Sequence, residues 1–383
     1  MKHVRSWVPL ALASLLLAAC GGGGSDSTPR ASITSVKVMG DSIADSGTFG
    51  YKFTVQGANS FIYPERVAQS YGVPALCNVY QFTGTTFVPN TTKTGCTNFA
   101  VGGGRINNFT GPTNPFSIVQ QLKDASAAGN FAAGDLLIID GGGNDAADLI
   151  GAYLRASTDG GAAYSALLGT LLPPATVSAA LATGPAGFAS IGGTYLTALA
   201  DAFFNAIKAN TLDKGAQRVV VLNMPGITNT PRFQTVLGAI AAANGGGTAG
   251  ATARAQAEGL FKSWVVAFNT ELAAKLSGNT SVVLVDFYTS FNDQIATPAQ
   301  YGLGNATTPA CPITGVGSDG LPTYTFPACT DAALSAQTPP AGATGGADWW
   351  KTYAFSDSFH PTPYGHQLLA QLIARSLAQA GWL

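Results

Sequence analysis

Three short runs constrain this chain more than any other feature: DLLIIDGGGND at 135–145, QRVVVLNMPG at 217–226 and SVVLVDF at 281–287. Each is an unbroken apolar stretch bounded by glycine or polar residues. A strand with one solvated face alternates apolar and polar residues, whereas a strand buried on both faces does not. A fourth segment, ITSVKVMG at 33–40, also reads as a strand. Long helical stretches lie between the later runs, around 190–213, 248–277 and 363–377. Strand and helix alternate, so the predicted class is α/β, a three-layer α/β/α sandwich with a central, mostly parallel sheet.

Three segments depart from this alternation and are predicted as insertions in one domain spanning 32–383. Residues 60–97 open with the short helical pattern SFIYPERVAQSYG and are then irregular and rich in Thr and Gly. Residues 157–193, rich in Gly, Ala and Pro, read as a loop insertion, as do residues 288–355. Loops this long inside a compact domain are usually functional or disordered. No internal repeat and no further domain boundary is visible.

The chain has 383 residues, of which 46% are hydrophobic and 10% charged, with a net charge of −1. That is enough apolar material for a sizeable core. It offers no basic patch, which argues against a nucleic-acid partner. Lys2, His3 and Arg5 precede the apolar run VPLALASLLLAAC, which ends at Cys20 and is too short to span a bilayer. Residues 1–19 therefore read as a signal peptide. The LAAC ending resembles a bacterial lipobox, which implies cleavage before Cys20, lipidation of its thiol and anchoring in a membrane. Residues 20–31 then form a flexible Gly/Ser tether. Gly21 after Cys20 points, by the same resemblance, to the outer membrane. The expected localisation is extracytoplasmic, as an outer-membrane lipoprotein or a protein secreted from a Gram-negative bacterium.

Cys77, Cys96, Cys311 and Cys329 remain. An even number in an exported chain reads as disulfides, and four cysteines allow three pairings. Two local loops, Cys77–Cys96 and Cys311–Cys329, are the simplest. With no Cys-x-x-Cys and only His360 and His366 beyond the leader, no metal site is expected, and no cofactor is implied.

In open parallel sheets, ligands bind where strands end and helices begin. Four segments place unusual residues at such points. VMGDSIADSG presents Ser42; TNFAVGGGR presents Gly102, Gly103 and Gly104; GGGND presents Asn144; DSFHPTPYGH presents Asp357 and His360 just before the last helix. A serine, two candidate hydrogen-bond donors and an Asp/His pair are what acyl transfer needs. Asp41 and Asp45 are read as caps of the turn after Ser42. Asp145 and Asp148 are read as first-turn helix acids, and His366 as a packed or surface helix residue. The aromatics of DWWKTYAF (348–355) line either a substrate pocket or a core edge. GGGTAG at 245–250 follows a helix-like segment rather than a strand and reads as a loop. There is no Gly-x-Ser-x-Gly, no Ser-x-x-Lys and no Walker A motif.

The four segments resemble, in order and spacing, the four sequence blocks of the GDSL-type esterases and lipases, the SGNH hydrolases, with Ile43 where the family name has leucine. The resemblance implies a flavodoxin-like α/β/α fold and hydrolysis of an ester substrate, a lipid or a small acyl ester, through an acyl-enzyme. It assigns Ser42 as nucleophile, with His360 and Asp357 completing the triad. It assigns the backbone N–H groups of Ser42 and Gly103 and the side-chain amide of Asn144 to an oxyanion hole, with Gly102 or Gly104 as alternatives to Gly103. A phospholipase or acyltransferase would use the same triad. A non-catalytic surface protein that binds lipid or glycan would have no reason to keep all five residues.

Overall fold

The structure is a computed structural model and describes residues 32–383. The predicted signal peptide and Cys20 lie outside the described residues. All four predicted strands form: β1 (Ser35–Met39), β2 (Asp135–Ile139), β3 (Val219–Leu222) and β4 (Val282–Val285). They make one parallel sheet in the order β1-β2-β3-β4. Ser35 pairs with Asp135, Leu137 with Val219 and Val219 with Val282.

Side chains on a strand alternate between its faces, and both faces are covered here. Leu137, Ile139, Val219 and Val221 point into one core with helices Ile118–Ser126, Gly143–Asp159, Pro185–Asn210 and Gly247–Leu276. Val36, Val38, Leu136, Ile138, Val220 and Leu222 point into the other, with helices Tyr63–Ser70, Phe287–Ala296 and Pro363–Gln379. This is why the runs show no polar alternation, and it gives the predicted α/β/α sandwich.

Beyond the free edge of β1, the segment around Asn98 adds a short parallel pairing. Val38 N–H donates to Thr97 O at 3.0 Å, Phe99 N–H to Val38 O at 2.7 Å, and Val101 N–H to Gly40 O at 3.2 Å. The glycines of TNFAVGGGR are thereby laid beside the turn that carries Ser42.

The insertions differ from expectation. Residues 157–193 are not a loop: they contain helices Ala162–Leu168 and Pro174–Leu181 and the start of Pro185–Asn210. Tyr164, Leu168 and Val177 are buried in the first core; the alanines and leucines of the segment favour helix, and its prolines sit at helix starts while glycines separate the helices. Residues 247–250 of GGGTAG likewise open a helix, with Gly246 at its N-cap. Within 60–97, the predicted helix is Tyr63–Ser70, and a hairpin pairs Tyr80–Phe82 with Phe87–Pro89. Residues 288–355 hold most of helix Phe287–Ala296, then short strands and 3-10 turns around a small core of their own. Val55, Cys311, Cys329, Leu334, Trp349, Trp350 and Tyr353 fill that core. Both disulfides are the local ones, Cys77–Cys96 and Cys311–Cys329.

Candidate active site

The turn after β1 is held both by groups distant in sequence and by its own two acids. Gln121 is fully buried and grips Gly40 twice, accepting from its N–H at 2.8 Å and donating to its carbonyl at 3.0 Å. Asp41 N–H donates to Asp140 Oδ1 at 2.9 Å, and Tyr63 Oη donates to the other oxygen of Asp140. The Asp41 and Asp140 carboxyls lie buried together behind the turn. Burial, and for Asp41 also the charge of Asp140, pushes Asp41 well above the usual carboxylate range; burial pushes Asp140 to about 6. Asp41 Oδ1 accepts from Ile43 N–H, and Asp45 Oδ1 from Gly47 and Thr48 N–H. Both acids thus cap the turn, as their positions predict.

The second element is the Gly102–Gly104 turn. Asp45 Oδ2 accepts from Gly102 N–H at 2.8 Å, and Asp145 accepts from Ile106 and Asn107 N–H at 3.0 and 2.8 Å. Burial raises each of these two carboxyls to about 6. Gly103 has φ of +80°, a left-handed conformation that glycine adopts without a steric penalty. At Gly104 a Cβ would stand 2.8 Å from Gly40 O, so only glycine lets the two turns meet. Among the described residues, the N–H groups of Ser42 and Gly103 donate to no acceptor. The adjacent donors of Asp41, Ile43, Gly102 and Gly104 all do.

Asn144 lies in the first turn of helix Gly143–Asp159, directly after β2. One N–H of its amide donates to Gly104 O at 2.9 Å, which fixes the amide beside Gly103. One helical turn on, Asp148 makes a two-pronged ion pair with Arg105, whose Nη1 donates to Gly103 O at 2.7 Å. The glycine turn and the Asn144 helix are therefore tied to each other twice.

The fourth element is a tight turn before the last helix. Ser356 N–H donates to His360 O at 2.7 Å. Thr362 caps helix Pro363–Gln379 by accepting from Gly365 N–H, and Pro363 takes its first position. Proline at that position and a threonine cap both fix where a helix begins, and so they fix where His360 stands. Asp357 Oδ2 meets His360 Nδ1 at 2.8 Å, and Asp357 Oδ1 accepts the N–H groups of Phe359 and His360. His360 Nε2 lies 2.7 Å from Ser42 Oγ. Burial alone would raise the Asp357 carboxyl. The adjacent His360 and these hydrogen bonds outweigh it and hold the group below its usual range, so it stays a carboxylate. An imidazole held in this way accepts a proton at Nε2 while its Nδ1–H remains bound.

Ser42, Gly103, Asn144, Asp357 and His360 all face one open cleft of about 460 Å³. The GDSL-like Lipase/Acylhydrolase family model matches residues 36–373, which takes in all five residues and the whole sheet. The chain belongs to this family. Its activity is accordingly that of a hydrolase acting on esters. Among solved structures, it is similar to a Parabacteroides merdae protein assigned to the GDSL-like lipases, with 13% identity over 93% of this chain and 100% of that one. The TM-score of that match is 0.36, and it carries no argument below. The comparison with curated proteins finds no match.

His366 is not near the other five. It is fully buried in the last helix, and its Nδ1 accepts from Tyr63 N–H at 3.3 Å. Burial, with the charge of Arg66, lowers its pKa well below the usual histidine value. Sequence reading missed Gln121, Asp140, Arg105 and Phe53, all of which hold or line the site. Only Arg105 had a local cue, as the last residue of GGGR. The aromatics of 348–355 resolve as core: Trp349, Trp350 and Tyr353 fill the insertion's own core and Phe355 the second sheet core. The cleft wall is formed instead by Pro322, Thr323 and Tyr324, inside the Cys311–Cys329 loop.

Proposed function

We propose that the chain is a serine-dependent carboxylic ester hydrolase that works through an acyl-enzyme on Ser42. The observation that carries this reading is the unbroken chain Asp357 Oδ2–His360–Ser42 Oγ, with links of 2.8 and 2.7 Å. In the first half-reaction, Ser42 Oγ attacks the ester carbonyl carbon while His360 Nε2 takes the hydroxyl proton. The Asp357 carboxylate stabilises the imidazolium through Nδ1–H. The carbonyl oxygen becomes an oxyanion that accepts from Ser42 N–H, Gly103 N–H and the second N–H of Asn144, donors already oriented before the charge appears. His360 returns the proton to the leaving alcohol as the C–O bond breaks. In the second half-reaction, water attacks the acyl-enzyme with His360 again as base, and the carboxylic acid leaves with Ser42 restored.

The leader and LAAC pattern support an exported protein held to a membrane by a lipid on Cys20, at the outer membrane or released from it. The two disulfides fit an oxidising compartment. The deciding experiment is labelling with a serine-directed phosphonate. Wild type should carry one label, on Ser42, and lose turnover of p-nitrophenyl butanoate. Ser42→Ala should take no label and lose activity by about four orders of magnitude or more while unfolding at the same temperature. A label on any other residue overturns the nucleophile assignment.

A further inference from the structure

Six aromatic side chains stand beside the cleft and belong to none of the three cores: Phe49, Tyr51, Phe53, Phe82, Phe87 and Phe116. Each is only partly buried. They form one continuous path. The Phe53 ring lines the cleft, 5.2 Å from the imidazole of His360. Phe49 follows at 5.9 Å from Phe53 and Phe82 at 5.2 Å from Phe49. Phe82 meets its cross-strand partner Phe87 at 5.1 Å, and Phe87 meets Phe116 at 4.9 Å.

The path also lies against the glycine turn. A Cβ on Gly102 would collide with the Phe53 ring at 2.2 Å and touch Phe49 at 3.2 Å, and one on Gly103 would lie 3.7 Å from Phe116. The far end rests on the hairpin closed by Cys77–Cys96, so it is held in place without belonging to a core. The cleft is also lined by the charged residues Arg105, Asp148 and Arg232. Its lining therefore offers both an aromatic ring that leads to the apolar path and charged groups that suit a polar moiety.

A contiguous, partly exposed apolar path costs hydration in the free protein and marks a binding site. We propose that it is the acyl subsite, and that the substrates are esters of long, apolar acyl groups with a polar alcohol part. The acyl chain, bonded to Ser42, runs past Phe53 and Phe49 to the Phe82–Phe87 pair, while the alcohol leaves past the charged residues of the cleft. A short acyl group ends at Phe53 and gains nothing from the hairpin. This inference rests on the serine hydrolase reading of the same site.

The test is the ratio of kcat/KM for p-nitrophenyl dodecanoate to that for p-nitrophenyl butanoate. In Phe82→Ser/Phe87→Ser the ratio should fall roughly tenfold, from loss of apolar contact with the distal chain. In Phe82→Leu/Phe87→Leu, which keeps the apolar surface, it should stay within about twofold of wild type. A second readout uses only wild type: an alkylphosphonate with a dodecyl arm should label Ser42 roughly tenfold faster than one with a methyl arm. An unchanged ratio in the serine variant, or equal labelling rates, overturns the acyl subsite. So does a loss confined to acetate esters of long alcohols, which would give the path to the alcohol. These failures are distinct from failure of the underlying reading, in which neither phosphonate would label Ser42 at all.

Discussion

Asp357 and His360 stand in a five-residue turn closed by Ser356 N–H and His360 O, and Asp357 Oδ1 fixes it from within by accepting from Phe359 and His360 N–H. Tyr324 and its neighbours stand in a loop whose cysteines are 18 residues apart, and Phe82 and Phe87 in one whose cysteines are 19 apart. Both loops are closed by a covalent bond and short hairpins, and they join the rest of the site at their ends: Asn98 N–H donates to Cys77 O at 3.1 Å and Cys311 N–H to Ser356 O at 2.7 Å. The first kind of region has almost no freedom: Gly104 touches Gly40, Gln121 grips the same residue, and Arg105–Asp148 ties the glycine turn to the Asn144 helix. The second kind can change its side chains without moving Ser42. The chemistry and the choice of substrate thus rest on supports that meet at the loop ends, and changes to each should have different kinetic signatures.

The largest effect is expected from the histidines. His360→Ala should lower kcat on any ester by about four orders of magnitude, because among the described residues no other side chain hydrogen-bonds to Ser42 Oγ. His366→Ala should leave the rate per folded molecule nearly intact and instead cost stability of about 1–3 kcal/mol, since Tyr63 N–H loses a buried acceptor. The buried His366 also sets a pH dependence. Its folded pKa lies below the unfolded value of about 6.5, so at this residue the unfolded state binds more protons and its contribution to stability falls as pH drops through that range, opposite in sign to the raised carboxyls of Asp41, Asp45, Asp140 and Asp145. Chemical denaturation from pH 8 to pH 5 should therefore show the stability advantage of wild type over His366→Ala shrinking as pH falls. Equal loss of turnover in the two variants would break the separation of chemistry from scaffold.

Asn144→Ala comes next. It should lower kcat by roughly a hundredfold with KM little changed, and steady-state kinetics on two acyl lengths should show the same loss for both. A rise in KM with kcat intact would make Asn144 a binding residue.

The smallest effect on rate, and the one that sharpens the comparison most, is expected from Cys311→Ser/Cys329→Ser. The loop bond contributes about 3 kcal/mol in the chain-entropy model, so thermal unfolding should shift while turnover of a short ester changes only about twofold. The preference among esters should shift severalfold, because Pro322, Thr323 and Tyr324 line the cleft. A uniform loss across all esters would mean that this loop also holds the catalytic turn.

The sheet was legible because its strands are buried on both faces and therefore appear as plain apolar runs. The five residues of the candidate site were legible through short motifs that resemble the family's blocks: Ser42 and Asn144 follow strands, Gly103 follows the segment paired beside the first strand, and Asp357 and His360 precede the last helix. Gln121, Asp140 and Phe53 were not, because their partners are defined only by the fold: Gln121 reaches Gly40 across 81 positions, and Asp140 reaches Asp41 across 99. The helices inside 157–193 were hidden by Gly and Pro, which read as loop signals although the prolines stand at helix starts and the intervening alanines and leucines favour helix. The tryptophans at 349 and 350 carried a clear signal of burial and none of which cavity they fill.

The disulfide pattern also bears on how the molecule is made. Both bridges join cysteines that are consecutive along the described chain, and the first loop is complete more than two hundred residues before Cys311. A chain that emerges from its N-terminus presents Cys96 to Cys77 when no later cysteine has yet appeared. Short loops close at low entropic cost, so an oxidant acting during emergence meets the native pair first on each occasion. The order of synthesis itself then disfavours both the crossed and the nested pairing, and no step of bond exchange is required to reach the finished molecule.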